Sequence, residues 1–111
     1  MSKFNLTRDI NGYNGFGLDF CEDNQSVTLA ANVEQNFTVP GNYATWIAVF
    51  SYEPGASVWV ANNFTATIPG GTLAATFSEL NPTARRVKAG DVISLISPDD
   101  SVAVGVSLYA L

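Results

Sequence analysis

The chain has 111 residues, 47% of them hydrophobic and 12% aromatic, with only 14% charged, a net charge of −5 and no histidine. That is one domain with ample core material and well under the roughly 25% charge of an ordinary soluble domain. The acidic balance argues against nucleic acid, whose phosphates call for a basic face. The apolar stretches are also too short and interrupted for a membrane-spanning helix of ~18–20 residues.

The start of the chain, from Met1 to Asn5, lacks the basic stretch and apolar run of a secretory signal. The single cysteine, Cys21, excludes an intrachain disulfide and fits a reducing cytoplasm. Asn-x-Ser/Thr triplets at Asn5, Asn24, Asn36 and Asn63 are then by-products of Asn- and Thr-rich strands and turns.

Residues 1–25 are expected to form an N-terminal arm or irregular lead-in, and residues 26–111 a single β-sandwich domain. The first part holds the turn dipeptides Asn11-Gly12 and Asn14-Gly15, followed by Gly17. Its apolar residues Phe4, Leu6, Ile10, Tyr13, Phe16, Leu18 and Phe20 follow no helical period, and only Phe16, Leu18 and Phe20 alternate like a strand. Two readings stay open: an extended arm whose aromatics dock into a partner, or a first strand packed on the sandwich.

Residues 26–33 (SVTLAANV) place Val27, Leu29, Ala31 and Val33 on one face, at the two-residue period of a strand. Residues 35–39 continue with Phe37 and Val39, and Pro40-Gly41-Asn42 turns the chain. Residues 44–52 (ATWIAVFSY) give the strongest β signal; apolar on both faces, they are expected to form a central strand covered on both sides. Glu53-Pro54-Gly55 turns into residues 57–61, and residues 64–68 (FTATI) form another alternating run, stopped by Pro69-Gly70-Gly71. Residues 72–77 suit a short strand or one helical turn, and residues 78–84 (SELNPTA) a surface loop. From Arg86 onward the pattern is that of a hairpin, with turns at Ala89-Gly90-Asp91 and Pro98-Asp99-Asp100 and a last strand lined by Val102, Val104, Val106, Leu108 and Ala110. The expected fold is all-β: a compact antiparallel β-sandwich, jelly-roll-like, of seven or eight strands. An immunoglobulin-like sandwich is the rival, and would usually show a cysteine pair around its core tryptophan.

No catalytic residue stands out. Common nucleophilic catalysis needs a nucleophile, a base near neutral pKa and an orienting group, and without histidine Cys21 has no such base. Cys21 reads instead as a small, buried or semi-buried apolar residue. The acids Asp19, Glu22, Asp23, Glu34, Glu53, Glu79, Asp91, Asp99 and Asp100 are candidates for an acid–base pair, yet most fall in turns, where acids belong anyway. Gly12, Gly15 and Gly17 lack the strand, helix and Lys-Ser/Thr of a phosphate loop. Asp19, Glu22 and Asp23 match no calcium-loop spacing and read as a solvated turn. No enzyme, cofactor or metal is expected.

Of the five basic residues, Arg85, Arg86 and Lys88 cluster beside the loop that begins at Glu79, and Lys3 and Arg8 lie in the N-terminal segment. Arginine forks suit carboxylates on a partner protein, while the same charges also blunt a sheet edge against aggregation. Candidate partner-binding residues are therefore Phe4, Arg8, Tyr13 and Phe16 in the N-terminal segment, with Glu79, Arg85, Arg86 and Lys88 in the later cluster. Trp46, Trp59, Tyr43 and Tyr52 would stack on sugars or form an interface if exposed, and fill the core of a sandwich if not.

Residues 15–18 (GFGL), 26–32 (SVTLAAN), 35–41 (QNFTVPG), 46–52 (WIAVFSY) and 78–91 (SELNPTARRVKAGD), read together, resemble the small capsid decoration, or staple, proteins of epsilon15-like short-tailed phages. The resemblance runs over essentially the whole chain. It implies a jelly-roll-like protein without enzymatic activity or cofactor. Such a protein would be made in the bacterial host cytoplasm and sit on the outer capsid surface of the virion. There it would bind across major-capsid-protein subunits late in assembly and stabilise the shell against internal DNA pressure. Self-association as a dimer through a sheet edge would let one unit bridge two sites. The family supplies no contact motif to carry over, so the docking residues above rest on the chain's own pattern. The alternative is a receptor- or glycan-binding β-sandwich module of a phage tail appendage, for which exposed Trp46, Trp59 or Tyr43 would be the motive.

Overall fold

A computed structural model describes residues 3–4, 8, 10–13, 19–69 and 78–111. Among them are eight strands and no helix: β1 (Asn24–Leu29), β2 (Gln35–Thr38), β3 (Thr45–Tyr52), β4 (Trp59–Asn62), β5 (Glu79–Leu80), β6 (Ala84–Lys88), β7 (Val92–Ile96) and β8 (Val102–Ala110). They form two four-stranded antiparallel sheets, a first sheet in the order β1-β8-β3-β6 and a second in the order β2-β7-β4-β5. The expected β-sandwich is what the chain forms.

The pairing has a simple logic. β1 lies against β8, β2 against β7, β3 against β6 and β4 against β5, so the first half of the chain runs back along the second like one long ribbon. The contacts β3·β8 and β4·β7 then stitch the wrapped ribbon into two layers. Among the described strands only β4 and β5 are consecutive and pair. The hairpin expected from Arg86 to the end is therefore corrected: β6 and β8 belong to the first sheet and β7 to the second, so both turns cross between layers.

Alternation along the strands builds the core between the sheets. Trp46, Ala48 and Phe50 of β3, Val87 of β6 and Val102, Val104, Val106, Leu108 and Ala110 of β8 meet Val60 of β4 and Ile93 and Leu95 of β7. Trp46 is fully buried, donates from Nε1 to the Pro40 and Tyr43 carbonyls at 3.2 Å each, and takes the Tyr43 ring edge-on at 5.7 Å. Burying each large side chain contributes about 1.5–3 kcal/mol.

Other expectations are corrected or fall outside the described residues. Residues 64–68 alternate in sequence but form no strand, because the Ala66 N–H donates to the Ser94 side chain rather than to a neighbouring backbone. Residues 78–84 are not wholly loop, since Glu79 and Leu80 pair with β4. The strand or turn expected at 72–77, and Phe16, lie outside the described residues.

Candidate functional site

The outward side of β3 is the first unusual feature. With Trp46, Ala48 and Phe50 turned inward, strand geometry turns Thr45, Ile47, Val49 and Ser51 outward. A strand apolar on both faces is expected to be covered on both, yet Ile47 and Val49 are only partly buried. This expectation is corrected: the core covers only the inner face.

The register completes the surface around them. Ile47 faces Arg86 on one side and Tyr109 on the other; Val49 faces Ala84 and Ser107, with Asn24 beyond. Ser51 faces Gly105, with Ser26 beyond, and Thr28 faces Ala103. Charge is confined to the margins, with Arg86 and Lys88 on β6 and Glu53 just past β3. Small side chains toward the end of the sheet where β3 finishes leave a shallow dish of about 420 Å³ that includes Ser26, Thr28, Ser51, Glu53, Ala103 and Gly105 in its lining. Gly105 has room for a side chain, since a Cβ there would meet only the Ser51 Cβ, at 3.8 Å.

The middle of the second sheet's outer face is covered, while Asn36 and Thr38 of β2 and Leu80 of β5, in the same register, are exposed. The register turns Trp59, Ala61 and Ser94 outward, opposite to inward Val60, Ile93 and Leu95, yet all three are buried. Residues 63–69 cross this face: Ala66 is buried and its N–H donates to Ser94 Oγ at 2.9 Å, and the Thr67 N–H donates to Ser78 Oγ at 3.0 Å.

The basic cluster divides in space, because successive residues on a strand point to opposite faces. Arg85 is paired with inward Ala48 and reaches toward the second sheet, where its Nε donates to Glu79 Oε2 at 2.7 Å. Both side chains are about half exposed, at 49% and 57%, so this ion pair adds little stability. Beside it lies a groove of about 300 Å³ lined in part by Val60, Phe64, Val87 and Arg86. Arg86 and Lys88 instead flank the outer face of the first sheet, opposite Ile47 and Thr45. The loop between β5 and β6 is pinned rather than free. Asn81, in the left-handed region at φ 46°, accepts the Val58 N–H on Oδ1 at 2.7 Å and donates from Nδ2 to Ala56 O at 3.0 Å. The Tyr52 hydroxyl donates to Pro82 O at 2.6 Å; burial pushes its pKa above the ordinary value, partly offset by Arg85.

At the N terminus, the Phe4 N–H donates to Ala110 O at 2.8 Å, and Lys3 forms a parallel bridge with Ala110. This places Phe4, half-buried, on the β1 side of β8. Across the same end of the sheet, three strand spacings or about 14 Å away, run Arg86 and Lys88. Arg8 donates from Nη1 to Gly12 O at 2.8 Å, and Tyr13 is 72% exposed. Ile10 and Phe20 are wholly exposed and were not among the expected docking residues; the apolar, aperiodic composition of the segment was their only sequence signal. Residues 19–23 are tied to β8: the Tyr109 hydroxyl donates to Asp19 O at 2.8 Å, the Cys21 thiol to Leu108 O at 3.1 Å, and the Leu108 N–H to Asp23 O at 3.0 Å. Burial raises the Tyr109 pKa, with the nearby Cys21 and Asp19 adding to the shift.

Several acids have structural work. Asp91 accepts the Lys88 N–H at 2.9 Å and the Asn62 and Asn63 side-chain amides at 3.1 Å each. Those bonds, led by the Lys88 backbone, hold its pKa below the ordinary value. Asp99 accepts the Ser57 N–H at 3.0 Å and Glu34 accepts the Asn36 amide at 2.8 Å. Among the described residues no group of three or more Cys, Asp or Glu is arranged to hold a metal, and no helix is long and apolar enough to cross a membrane.

Comparison with family models, with curated proteins and with solved structures returns no match to this chain.

Proposed function

We propose that this chain is a non-enzymatic capsid decoration protein of the staple kind, which binds the outer shell of a phage across neighbouring major-capsid-protein subunits and stabilises it. The observation that carries the reading is the outward side of β3: Ile47 and Val49 stand partly exposed beside buried Tyr109, in a face otherwise of Ser, Thr, Ala and Gly with charge only at its margins. Such a face loses little hydration when a partner covers it, while Arg86 and Lys88 orient docking against carboxylates at the rim. The strand order, a ribbon wrapped into two layers, supports reading the sandwich as a jelly roll.

The proposed mechanism is mass action. A protein that binds only the assembled lattice stabilises it by RT ln(1 + [L]/Kd), which is ~2.7 kcal/mol per site at a hundredfold excess over Kd. Phe4, Arg8 and Tyr13 on one side and Arg86 and Lys88 on the other would extend the contact beyond the sheet. The glycan-binding alternative loses its motive, because Trp46 and Trp59 are buried and Tyr43 packs against Trp46.

The test adds purified protein to decoration-free capsids. Saturable binding in hundreds of copies per particle, with a raised temperature of shell rupture, is the expected result. No binding, and shells that rupture at the same temperature with and without the protein, would overturn the proposal. A hit on a glycan array together with a handful of copies per virion would replace it with the tail-appendage reading.

A further inference from the structure

The two sheets close unevenly along the side where β6 lies across from β4 and β5. β6 runs for five residues, whereas β5 has two and pairs only with Trp59 and Val60 of β4. Beyond Val60 this margin of the second sheet has no further strand among the described residues. Core side chains of both sheets therefore reach an open slot there. One part of it is the groove of about 300 Å³ that includes Val60, Phe64, Val87 and Arg86 in its lining. The other is a hollow of about 50 Å³ lined in part by Phe50, Val60, Val87 and Ile93, one residue from each of β3, β4, β6 and β7. Glu79 and Arg85 bound both parts, so groove and hollow adjoin at that ion pair.

Shape and charge narrow what the slot can take. Small-molecule sites are mostly apolar clefts of about 300 Å³ or more with a few placed polar groups. A cavity that holds benzene measures about 150 Å³, so the hollow of about 50 Å³ admits the end of an alkyl chain and not a ring. The rim carries two guanidinium groups, Arg85 and Arg86, against the one carboxylate of Glu79, an excess of one positive charge. Arg85 donates from Nε to Glu79 and from Nη1 to Ala84 O, and its Nη2 has no partner among the described residues. Nor has the Arg86 guanidinium.

We infer that this slot binds a linear aliphatic monocarboxylate of about the length of octanoate, with its carboxylate at Arg85 and Arg86 and its tail toward the hollow. One carboxylate cancels the excess charge at the rim, and guanidinium groups recognise carboxylates through paired, charge-assisted hydrogen bonds. The alkyl chain takes the apolar surface of Val60, Phe64 and Val87 out of water. A tailless anion gains only the rim, and an alcohol of the same length gains only the walls. The slot lies on the side of the sandwich, away from the dish of the first sheet. The inference therefore stands whether or not the shell-binding reading does.

Titration of the purified protein with sodium octanoate, followed by amide chemical shifts, tests it. Saturable shifts at Val60, Phe64 and Val87 with a Kd at or below about 1 mM are expected. The amides of Ser26 and Gly105, in the dish, should not respond. Affinity should rise about three- to fourfold for each methylene added from butanoate to octanoate, and octan-1-ol should bind at least about tenfold more weakly than octanoate. Glu79→Gln removes the resident carboxylate and should tighten octanoate at least about threefold, a gain that misfolding cannot produce. Arg85→Gln should weaken it at least about fivefold with an unchanged melting temperature. No saturable shift up to about 10 mM, equal affinity for octanoate and octan-1-ol, or a Glu79→Gln protein that binds no more tightly than wild type would each overturn the inference.

Discussion

The two sheets share one core but finish their outer faces in different ways. On the second sheet the chain buries the central outward residues Trp59, Ala61 and Ser94, with residues 63–69 laid across. On the first sheet only Tyr109 is treated so, buried with its hydroxyl on Asp19 O; the other outward residues are mostly small and neutral, and Ile47 and Val49 remain partly exposed among them. A face holding an indole needs a cover within the chain. A surface of Ser, Thr, Gly, Ala and two aliphatic residues, beside the one covered tyrosine, tolerates water, yet leaves it at small cost when a partner arrives.

The largest test contrasts neighbouring residues on β3. Trp46→Ala is expected to lower unfolding free energy by about 3–5 kcal/mol, measured by urea titration, while Ile47→Ala on the other face costs under about 1.5 kcal/mol. Equal losses would mean that the outer face is part of the core.

On the second sheet, Ser94→Ala leaves the buried Ala66 N–H without its acceptor. A loss of about 1–3 kcal/mol in the same titration is expected. A loss within error would show that the covering segment is held by something else.

Asp91 joins the two layers, taking bonds from Lys88 at the end of β6 and from Asn62 and Asn63 at the end of β4. Asp91→Ala is expected to cost about 1–2 kcal/mol at neutral pH. The folded carboxyl titrates below its ordinary value of 3.8, so its contribution is complete above that pH and disappears as pH falls through the lower folded pKa. The stability gap between wild type and variant should therefore close on acidification, and a gap independent of pH would contradict the assignment.

The smallest stability effects fall at the basic edge. Arg85→Ala removes a half-exposed ion pair and an exposed bond to the Ala84 carbonyl, so less than about 1 kcal/mol is expected in thermal melting. Arg86→Glu should leave melting unchanged but weaken capsid binding several-fold at low salt, with the gap narrowing as salt rises. Equal binding by Arg86→Glu and wild type would remove this edge from the docking surface.

Much of this architecture is legible in the sequence because burial writes a period of two. β8 and much of β1 follow from it directly, although Val33, expected on the β1 face, lies past the end of the strand and exposed. β3 is marked instead by a run apolar on both faces, which leaves open whether Trp46 points inward. Residues 64–68 show the limit: Phe64, Ala66 and Ile68 alternate like a strand, but period two records burial on one side and not membership in a ladder. The turn at Ala89-Gly90-Asp91 suits a hairpin equally well whether it returns to the same sheet or crosses to the other, so the layer change was invisible. β5 has only two residues, too few to leave a pattern. The division of Arg85 from Arg86 was available in principle, since adjacent residues on a strand face opposite ways. Recognising it needed the knowledge that residues 84–88 are a strand at all.

Gly105 offers the most direct test of the docking face. It lies between Ser26 and Ser51 in the dish of the first sheet, where an added Cβ would make only an ordinary contact with the Ser51 Cβ. Gly105→Lys sets a long charged chain over that face while burying nothing, and replacing a strand glycine costs the fold little or slightly favours it. Binding to decoration-free capsids should weaken at least about tenfold with an unchanged or higher melting temperature. Undiminished binding by a folded Gly105→Lys protein would contradict the claim that this face meets the shell.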